Sequence, residues 1–202
     1  MTQTVSMIGK NKVLPAGTVT VRSTLALPKV PANDGLAAPY GLAGSNLPGL
    51  GLGVNAGAHV YPLHWKSVTF GLGVNAVIGR SHTTADVLQP DGTTVGTPVT
   101  ARFTALAPQV SFNFGSAAGW SYLSGGYGSG QLAIDTPAAA GTAHPWRRTI
   151  DYGGGGRWFV RDRMAISFDI RFYKIDAAAA SENVKPSPRV TMLVVSVGIS
   201  VR

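Results

Sequence analysis

Charged side chains recur at alternate positions of several strand-like segments, and they are the residues most able to do chemistry. Asp151 and Arg157 share one parity, as do Asp169 and Arg171, and most apolar neighbours take the other parity. Residues of one parity lie on one face of an extended chain. If that face is enclosed, opposite charges must pair, because an unpaired buried charge is very costly. The spacing therefore predicts a structural ion-pair network first and a proton or ion pathway second.

Hydrolytic chemistry would need a base beside a serine nucleophile and an acid that orients the base. The candidate bases are the four histidines, His59, His64, His82 and His144. Ser81 directly precedes His82, so their side chains point to opposite faces of a strand. The sole glutamate, Glu182, is in a different loop. The sequence therefore predicts a protein that is not an enzyme.

Metal and cofactor motifs are absent from the sequence. There is no cysteine, and no group of histidines or carboxylates has the spacing of metal ligands. The glycine run 153–156 lacks the Lys-Ser/Thr of a phosphate-binding loop. We expect no cofactor, and we interpret these glycines as positions where strands approach closely.

The segment that positions much of this pattern contains the hexapeptide Gly-Leu-Gly-Val-Asn-Ala twice, at 51–56 and 71–76. Each copy alternates apolar residues with small or polar ones, which is typical of a strand with two different faces. Residues 62–66 are the expected turn. Folding about His64 would place Asn55 opposite Gly73 and Asn75 opposite Gly53.

Similar alternation predicts further strands, at 18–27, 102–114, 120–134, 149–160, 164–175 and 191–201. Pro108 indicates a bulge within its strand. In the hairpin that turns at Arg161-Asp162, Asp151 is expected opposite Arg171 and Gly153 opposite Asp169. Long connections are predicted at 29–48, 81–100, 136–148 and 177–189, and short ones at 62–66, 116–119 and 161–163.

Composition limits the class of protein. A chain of 202 residues without a run of about 18 apolar residues predicts one domain, at 17–202, and no transmembrane helix. Residues 1–16 form an N-terminal extension in which no secretion signal is visible. The net charge of +8 is spread along the chain, so no nucleic-acid partner is expected.

Eight strands joined by alternating short and long connections resemble the small bacterial outer-membrane β-barrels of the OmpA/OmpX and opacity-protein type. Aromatic residues near the short turns fit the interfacial girdle of such barrels: Trp65, Phe70, Phe112, Phe114, Trp120, Tyr122 and Trp158. The resemblance implies an all-β, eight-stranded antiparallel up-and-down transmembrane barrel with short periplasmic turns and longer extracellular loops. It further implies a monomer in the bacterial outer membrane.

In such a barrel the polar parity fills the lumen. That set is Arg22, Asn55, His59, Asn75, Gln109, Asn113, Tyr127, Gln131, Asp151, Arg157, Asp169 and Arg171. The outer loops would meet phosphorylated lipopolysaccharide and outer-membrane lipid, or an external protein or surface, through Arg80, His144, Trp146, Arg147, Arg148, Lys185 and Arg189.

Two other functions remain open at the level of sequence. A soluble ligand-binding barrel of the lipocalin type would place the apolar parity inside and the polar parity in water. An outer-membrane lipid acyl hydrolase would keep the barrel and add a catalytic serine and histidine. The soluble barrel and the membrane barrel differ in which parity is exposed.

Overall fold

The computed structural model describes residues 17–88, 91–116 and 118–202 and contains eight strands. Their bounds are β1 Thr18–Lys29, β2 Leu52–Trp65, β3 Val68–Leu88, β4 Thr94–Ser116, β5 Gly119–Asp135, β6 Arg147–Arg161, β7 Met164–Ile175 and β8 Val190–Val201. Each strand pairs antiparallel with the next, and β8 pairs with β1 to close the barrel. The predicted fold class is therefore confirmed. The extension predicted at 1–16 lies outside the described residues.

The outside of the barrel is apolar because one parity of each strand carries the aliphatic and aromatic side chains. Val21, Leu106 and Ile166 are each about half exposed, and they belong to a set of more than thirty exposed large apolar residues among those that the structure describes. The opposite parity is buried in the interior. A patch this large on a soluble monomer would be exceptional. An apolar outer surface around an interior that contains polar side chains is typical of transmembrane barrels. No helix in the described part of the chain is long and apolar enough to span a membrane.

One end of the barrel, here called the turn end, holds the tight connections between β2 and β3, β4 and β5, and β6 and β7. The turn after β2 is formed by Lys66 and Ser67, and Lys66 adopts a left-handed φ of 54°. A bulge between Val60 and Leu63 precedes the turn. The register predicted about His64 is therefore wrong, because the chain reverses two residues later. His59, not Asn55, lies opposite Gly73.

The other end, here called the loop end, carries the connections 30–51, 136–146 and 176–189. The loop predicted at 81–100 is wrong in its extent, since β3 continues to Leu88 and β4 begins at Thr94. Alternating pairs from Ser81–Ala101 to Leu88–Thr94 extend the hairpin, with Val99 and Ala101 buried. The apolar signal of this extension was hidden by its many threonines, which are themselves favourable in strands.

The β6–β7 hairpin turns one residue later than the sequence suggested, with a bulge between Phe159 and Arg161. The predicted register is therefore wrong by two residues. Asp151 lies opposite Tyr173, and Gly153 lies opposite Arg171. Asp151 and Arg171 still share the inner face as diagonal neighbours.

Strand β5 faces the opposite way from the prediction. Trp120 and Tyr122 are buried inside the barrel, whereas Tyr127 is 58% exposed on the outside. Gln131 is half-buried and donates to the carbonyl of His144. Many glycines and serines weaken the alternation in β5, and large inner side chains are accommodated there because Tyr122 lies opposite Gly155. Pro108 interrupts pairing with β5 between Leu106 and Gln109 without a change of register, so the expected bulge is not formed.

The interior is divided into three layers. An aromatic layer of Tyr61, Trp120, Tyr122 and Phe159 lies near the turn end. A polar layer of arginines, aspartates and amides follows it. An apolar layer fills the loop end and includes side chains from the first long connection, namely Leu36, Ala37, Leu42 and Leu47. In that connection Asn33 caps the short helix Asp34–Ala37 by accepting a hydrogen bond from the Leu36 amide at 3.0 Å.

Candidate functional site: the barrel interior and its outer rim

The polar layer is built around Arg171 on β7. Its Nη1 donates to Asp151 Oδ2 on β6 at 2.5 Å, and its Nη2 donates to Ser124 Oγ on β5 at 2.6 Å. Gln109 on β4 donates to the same Asp151 oxygen. Four neighbouring strands are thus joined by one buried guanidinium and one buried carboxylate. Arginine suits this position because its planar group carries five donors in a fixed arrangement.

A second buried ion pair lies beside the first. Arg22 on β1 donates to Asp169 Oδ2 at 2.7 Å and to the Tyr122 hydroxyl at 2.6 Å. Its other terminal nitrogen donates to Asn75 Oδ1 at 2.6 Å, and the Asn75 amide donates to the Tyr173 hydroxyl at 2.8 Å. Arg171 Nε also reaches Asp169, at 3.5 Å. The two pairs therefore form one continuous network across the lumen.

Arg157 belongs to the aromatic layer and has a different environment. It donates to Thr20 Oγ1 at 3.0 Å and to the Tyr61 hydroxyl at 2.6 Å. Its guanidinium carbon lies 5.6 Å from the Trp120 ring centroid and 5.0 Å from that of Tyr122. No carboxylate in the described part of the chain pairs with it. Cation–π contacts and hydroxyl acceptors stabilise this charge instead of an ion pair.

The structure places all nine residues of the predicted lumen set on the inside, where each is at least nine-tenths buried: Arg22, Asn55, His59, Asn75, Gln109, Asp151, Arg157, Asp169 and Arg171. His59 stacks beside Tyr61, with ring centroids 6.4 Å apart, and packs against the backbone at Gly73. Asn55 is fully buried beside Thr24, which donates to the Asn55 carbonyl. Asn113 joins them as a buried residue.

The basic residues predicted to face the outer surface fall into two groups. Arg147 donates to the Asp176 carbonyl at 2.9 Å and to Ser187 Oγ at 3.0 Å, and Lys185 donates to the Pro39 carbonyl above the Tyr40 ring. These two side chains hold the loops together. The others are exposed on the outer wall near the loop end: Arg80, Arg148 and Arg189.

Two basic patches lie on that wall. Arg148 and Arg189 meet Lys174 around a small groove floored by Tyr127 and Ile150, where Arg189 also pairs with Asp176 at 3.2 Å. Arg80 lies directly opposite Arg102 in the β3–β4 pair. Sequence reasoning missed Lys174 and Arg102. Both could have been found as basic residues on the outward parity near the loop end of a strand.

Among the described side chains, no histidine is hydrogen-bonded to a serine hydroxyl. His64 Nδ1 is 3.0 Å from Thr69 Oγ1, and His82 Nδ1 is 3.2 Å from Thr100 Oγ1. Ser81 is buried inside while His82 is exposed, as adjacent strand residues require. His144 lies 3.6 Å from Asp135 in a loop, where burial lowers its pKa and the nearby carboxylate raises it to a smaller extent. Within the described ranges, no group of three or more metal-binding side chains comes together.

Comparison with solved structures gives full-length matches. Surface protein A of Neisseria, NspA, matches with a TM-score of 0.52 and 11% identity over 91% of this chain and 96% of that chain. OprG, an outer membrane protein of Pseudomonas aeruginosa, matches with a TM-score of 0.52 and 13% identity over 92% and 95%. This chain has the fold of the small eight-stranded outer-membrane β-barrels. No protein-family model and no curated protein matches it.

The attachment invasion locus protein Ail of Yersinia pestis has the same barrel fold. Its structure in complex with the heparin analogue sucrose octasulfate matches with a TM-score of 0.52 and 12% identity, covering 92% of this chain and 99% of that chain. At this identity the likeness concerns the fold. The interior network and basic patches described above are properties of this sequence.

Proposed function

We propose that this protein is a non-enzymatic integral outer-membrane barrel with a structural or surface-interaction role. The observation that carries the proposal is that charged side chains are buried inside a closed barrel while its outer surface is continuously apolar. A soluble protein has the opposite arrangement. Lipid is the environment in which that surface is stable. The closed ring leaves no free strand edge, which favours a monomer.

The exposed basic residues near the loop end are proposed to contact phosphorylated lipid of the outer leaflet. Arg80, Arg148 and Arg189 lie where the apolar wall meets the loops. A bound anionic glycan is a second candidate partner, because the Ail barrel was solved with sucrose octasulfate and this chain also carries basic side chains near its loops. Arg147 and Lys185 are engaged in loop contacts, and they support either role only indirectly.

Membrane insertion is the decisive test. The refolded protein should enter liposomes without a detergent carrier, and unboiled samples should migrate differently from boiled samples on gels. Protease added to intact cells should cut in 30–51, 136–146 or 176–189 and spare the short turns at the other end. A protein that stays soluble without detergent, or is cut first at the short turns, would refute the proposed membrane topology.

Conduction provides a control for the structural role. The aromatic layer and the apolar layer lie on either side of the polar network, and both are packed with side chains. We therefore expect no steady ion current across planar bilayers that contain the protein. A stable, concentration-dependent current would replace the structural role with a transport role.

A further inference from the structure

A shallow groove runs down the outer wall across strands β2, β3 and β4. Leu52, Arg80 and Arg102 are neighbours in one row across these strands, and Val54, Ile78 and Thr104 form the next row toward the turn end. These six side chains line the groove, together with two glycines that contribute no side chain. The groove therefore has two guanidiniums at its head and mostly apolar groups below them.

The groove continues into a lane of small side chains. Ala56 pairs with Ala76, and Ala58 pairs with Val74, on the same outer face. Leu106 lies beside Ala76 in the same row, and Leu72 closes the lane one row beyond Val74 toward the turn end. A furrow of this shape on a lipid-facing wall can hold an extended hydrocarbon chain, and burial of each CH₂ group contributes about 0.8 kcal/mol.

The two arginines at the head of the groove repel each other, and the described residues neutralise only part of their charge. Arg80 and Arg102 lie directly opposite in an antiparallel pair, and like charges in that arrangement are destabilising. Arg102 donates to Asp135 through Nε at 2.8 Å and Nη2 at 3.1 Å. The backbone of Arg80 belongs to the strand ladder, but its guanidinium forms no hydrogen bond or ion pair with any residue that the structure describes. The carboxylate of Asp135 thus neutralises only one of two neighbouring exposed guanidiniums, and an anion between them would remove the repulsion.

We propose that this groove is a binding site for one phosphorylated glycolipid of the outer leaflet, of the lipid A type. Its phosphate lies between Arg80 and Arg102, and one acyl chain follows the lane toward the turn end. Arginine is suited to phosphate because two of its N–H groups can donate in parallel, and Arg102 still has free donors beyond Asp135. An acidic protein would satisfy the charges but leave the apolar lane unfilled. The inference rests on the proposed membrane location.

The test measures lipid A binding to the full-length protein refolded in detergent micelles. The double variant R80Q/R102Q should bind bisphosphorylated lipid A about tenfold or more weakly, because charge-assisted contacts to phosphate are lost. The matched control is R161Q/R163Q, which removes the same charge from exposed positions at the turn end and should bind like the wild type. Equal binding by R80Q/R102Q and R161Q/R163Q would overturn the site.

Two further variants separate the headgroup from the acyl chain. Asp135→Asn frees Arg102 and removes a negative charge, so it should tighten binding of lipid A. Thr104→Trp places a large side chain in the groove, so it should weaken binding of lipid A without affecting binding of inorganic phosphate. If Thr104→Trp binds lipid A as tightly as the wild type, the proposal is refuted. It is also refuted if only R148Q/K174Q, which alters the other basic patch, loses lipid binding, because the lipid then lies elsewhere.

The same samples distinguish this inference from the proposed function. Heat-dependent gel migration and liposome insertion are expected in the wild type and in all these variants, since the substituted side chains face outward. If the wild type inserts normally but R80Q/R102Q binds lipid A as tightly as the wild type, only the lipid site is wrong. If the wild type does not insert, the proposed membrane function is wrong.

Discussion

Replacement of Arg171 by methionine should be among the most destabilising single changes in the barrel. The fully buried guanidinium donates to Asp151 at 2.5 Å, to Ser124 at 2.6 Å and to Asp169 at 3.5 Å. Methionine preserves much of the volume and removes all three contacts. Asp151 then keeps, among the described side chains, only Gln109 as a hydrogen-bond donor. Loss of one partner of a buried ion pair costs about 3–5 kcal/mol, and we expect a loss in this range.

Arg157→Met is the informative comparison, because it removes the same group from the same lumen. No described carboxylate loses a partner, and the two hydroxyls it leaves, on Thr20 and Tyr61, are 3.1 Å apart and can bond to each other. This variant should therefore cost at least about 1 kcal/mol less than Arg171→Met, since no charged group is left unsatisfied.

The assay is urea unfolding of the protein in liposomes. At each urea concentration, the folded fraction is measured as the share of unboiled protein that migrates as the folded form on a gel. Combining Arg171→Met with Asp151→Asn should cost less than the sum of the single changes, with a coupling of about 0.5–3 kcal/mol. Equal losses for Arg171→Met and Arg157→Met, or strict additivity in the double variant, would show that the ion pair does not control the stability of the polar layer.

Three further predictions concern the wall and the loops. Val110→Lys should cost about 2–4 kcal/mol near the bilayer midplane, whereas Leu88→Lys, beyond the apolar belt, should change the unfolding free energy by less than about 0.5 kcal/mol. Gly155→Ala should lower the unfolding free energy by about 1–3 kcal/mol, because the added Cβ would meet a backbone oxygen of β7. At Gly125 the atom nearest to an added Cβ is 3.7 Å away, so Gly125→Ala should be tolerated in the same unfolding assay. Burial lowers the pKa of His144 in the folded protein, so its neutral form is favoured and stability should fall as pH drops below the unfolded pKa of about 6.5. Protease cleavage of loop 136–146 should then be faster at acidic pH, and a glutamine at His144 should remove that dependence.

Parity was predictable from sequence where the two faces differ strongly in chemistry. In β7, Asp169 and Arg171 alternate with Phe168, Ile170 and Phe172, so only one arrangement hides the charges from lipid. In β5 the alternation is between glycine, serine and aromatic residues, and it does not reveal which face is enclosed. Trp120 and Tyr122 could only be placed by the residues they meet on other strands, namely Arg22, Tyr61 and Arg157.

Register was less predictable than parity because it depends on turns and bulges. When a turn lies one residue later, every residue of the hairpin faces a partner two positions further along. An even shift of this kind changes the pairs but leaves the inner residues on the inner face. The pairing of Asp151 with Arg171 was therefore found correctly from a register that was wrong by two residues. Their long side chains tolerate a diagonal arrangement, whereas the match of a glycine to a bulky neighbour does not.

The distribution of charge in the interior gives the two ends of the barrel different properties. The described lumen holds three arginines and two aspartates, and the unbalanced cation, Arg157, lies in the aromatic layer at the turn end. A small cation entering from that end would meet a fixed positive charge in a medium of low dielectric constant, which strongly opposes its entry. At the loop end the barrier is instead the apolar layer, in which Phe103, Ile134 and Met192 are buried together. Opening one end would leave the other barrier intact, because one depends on charge and the other on exclusion of water.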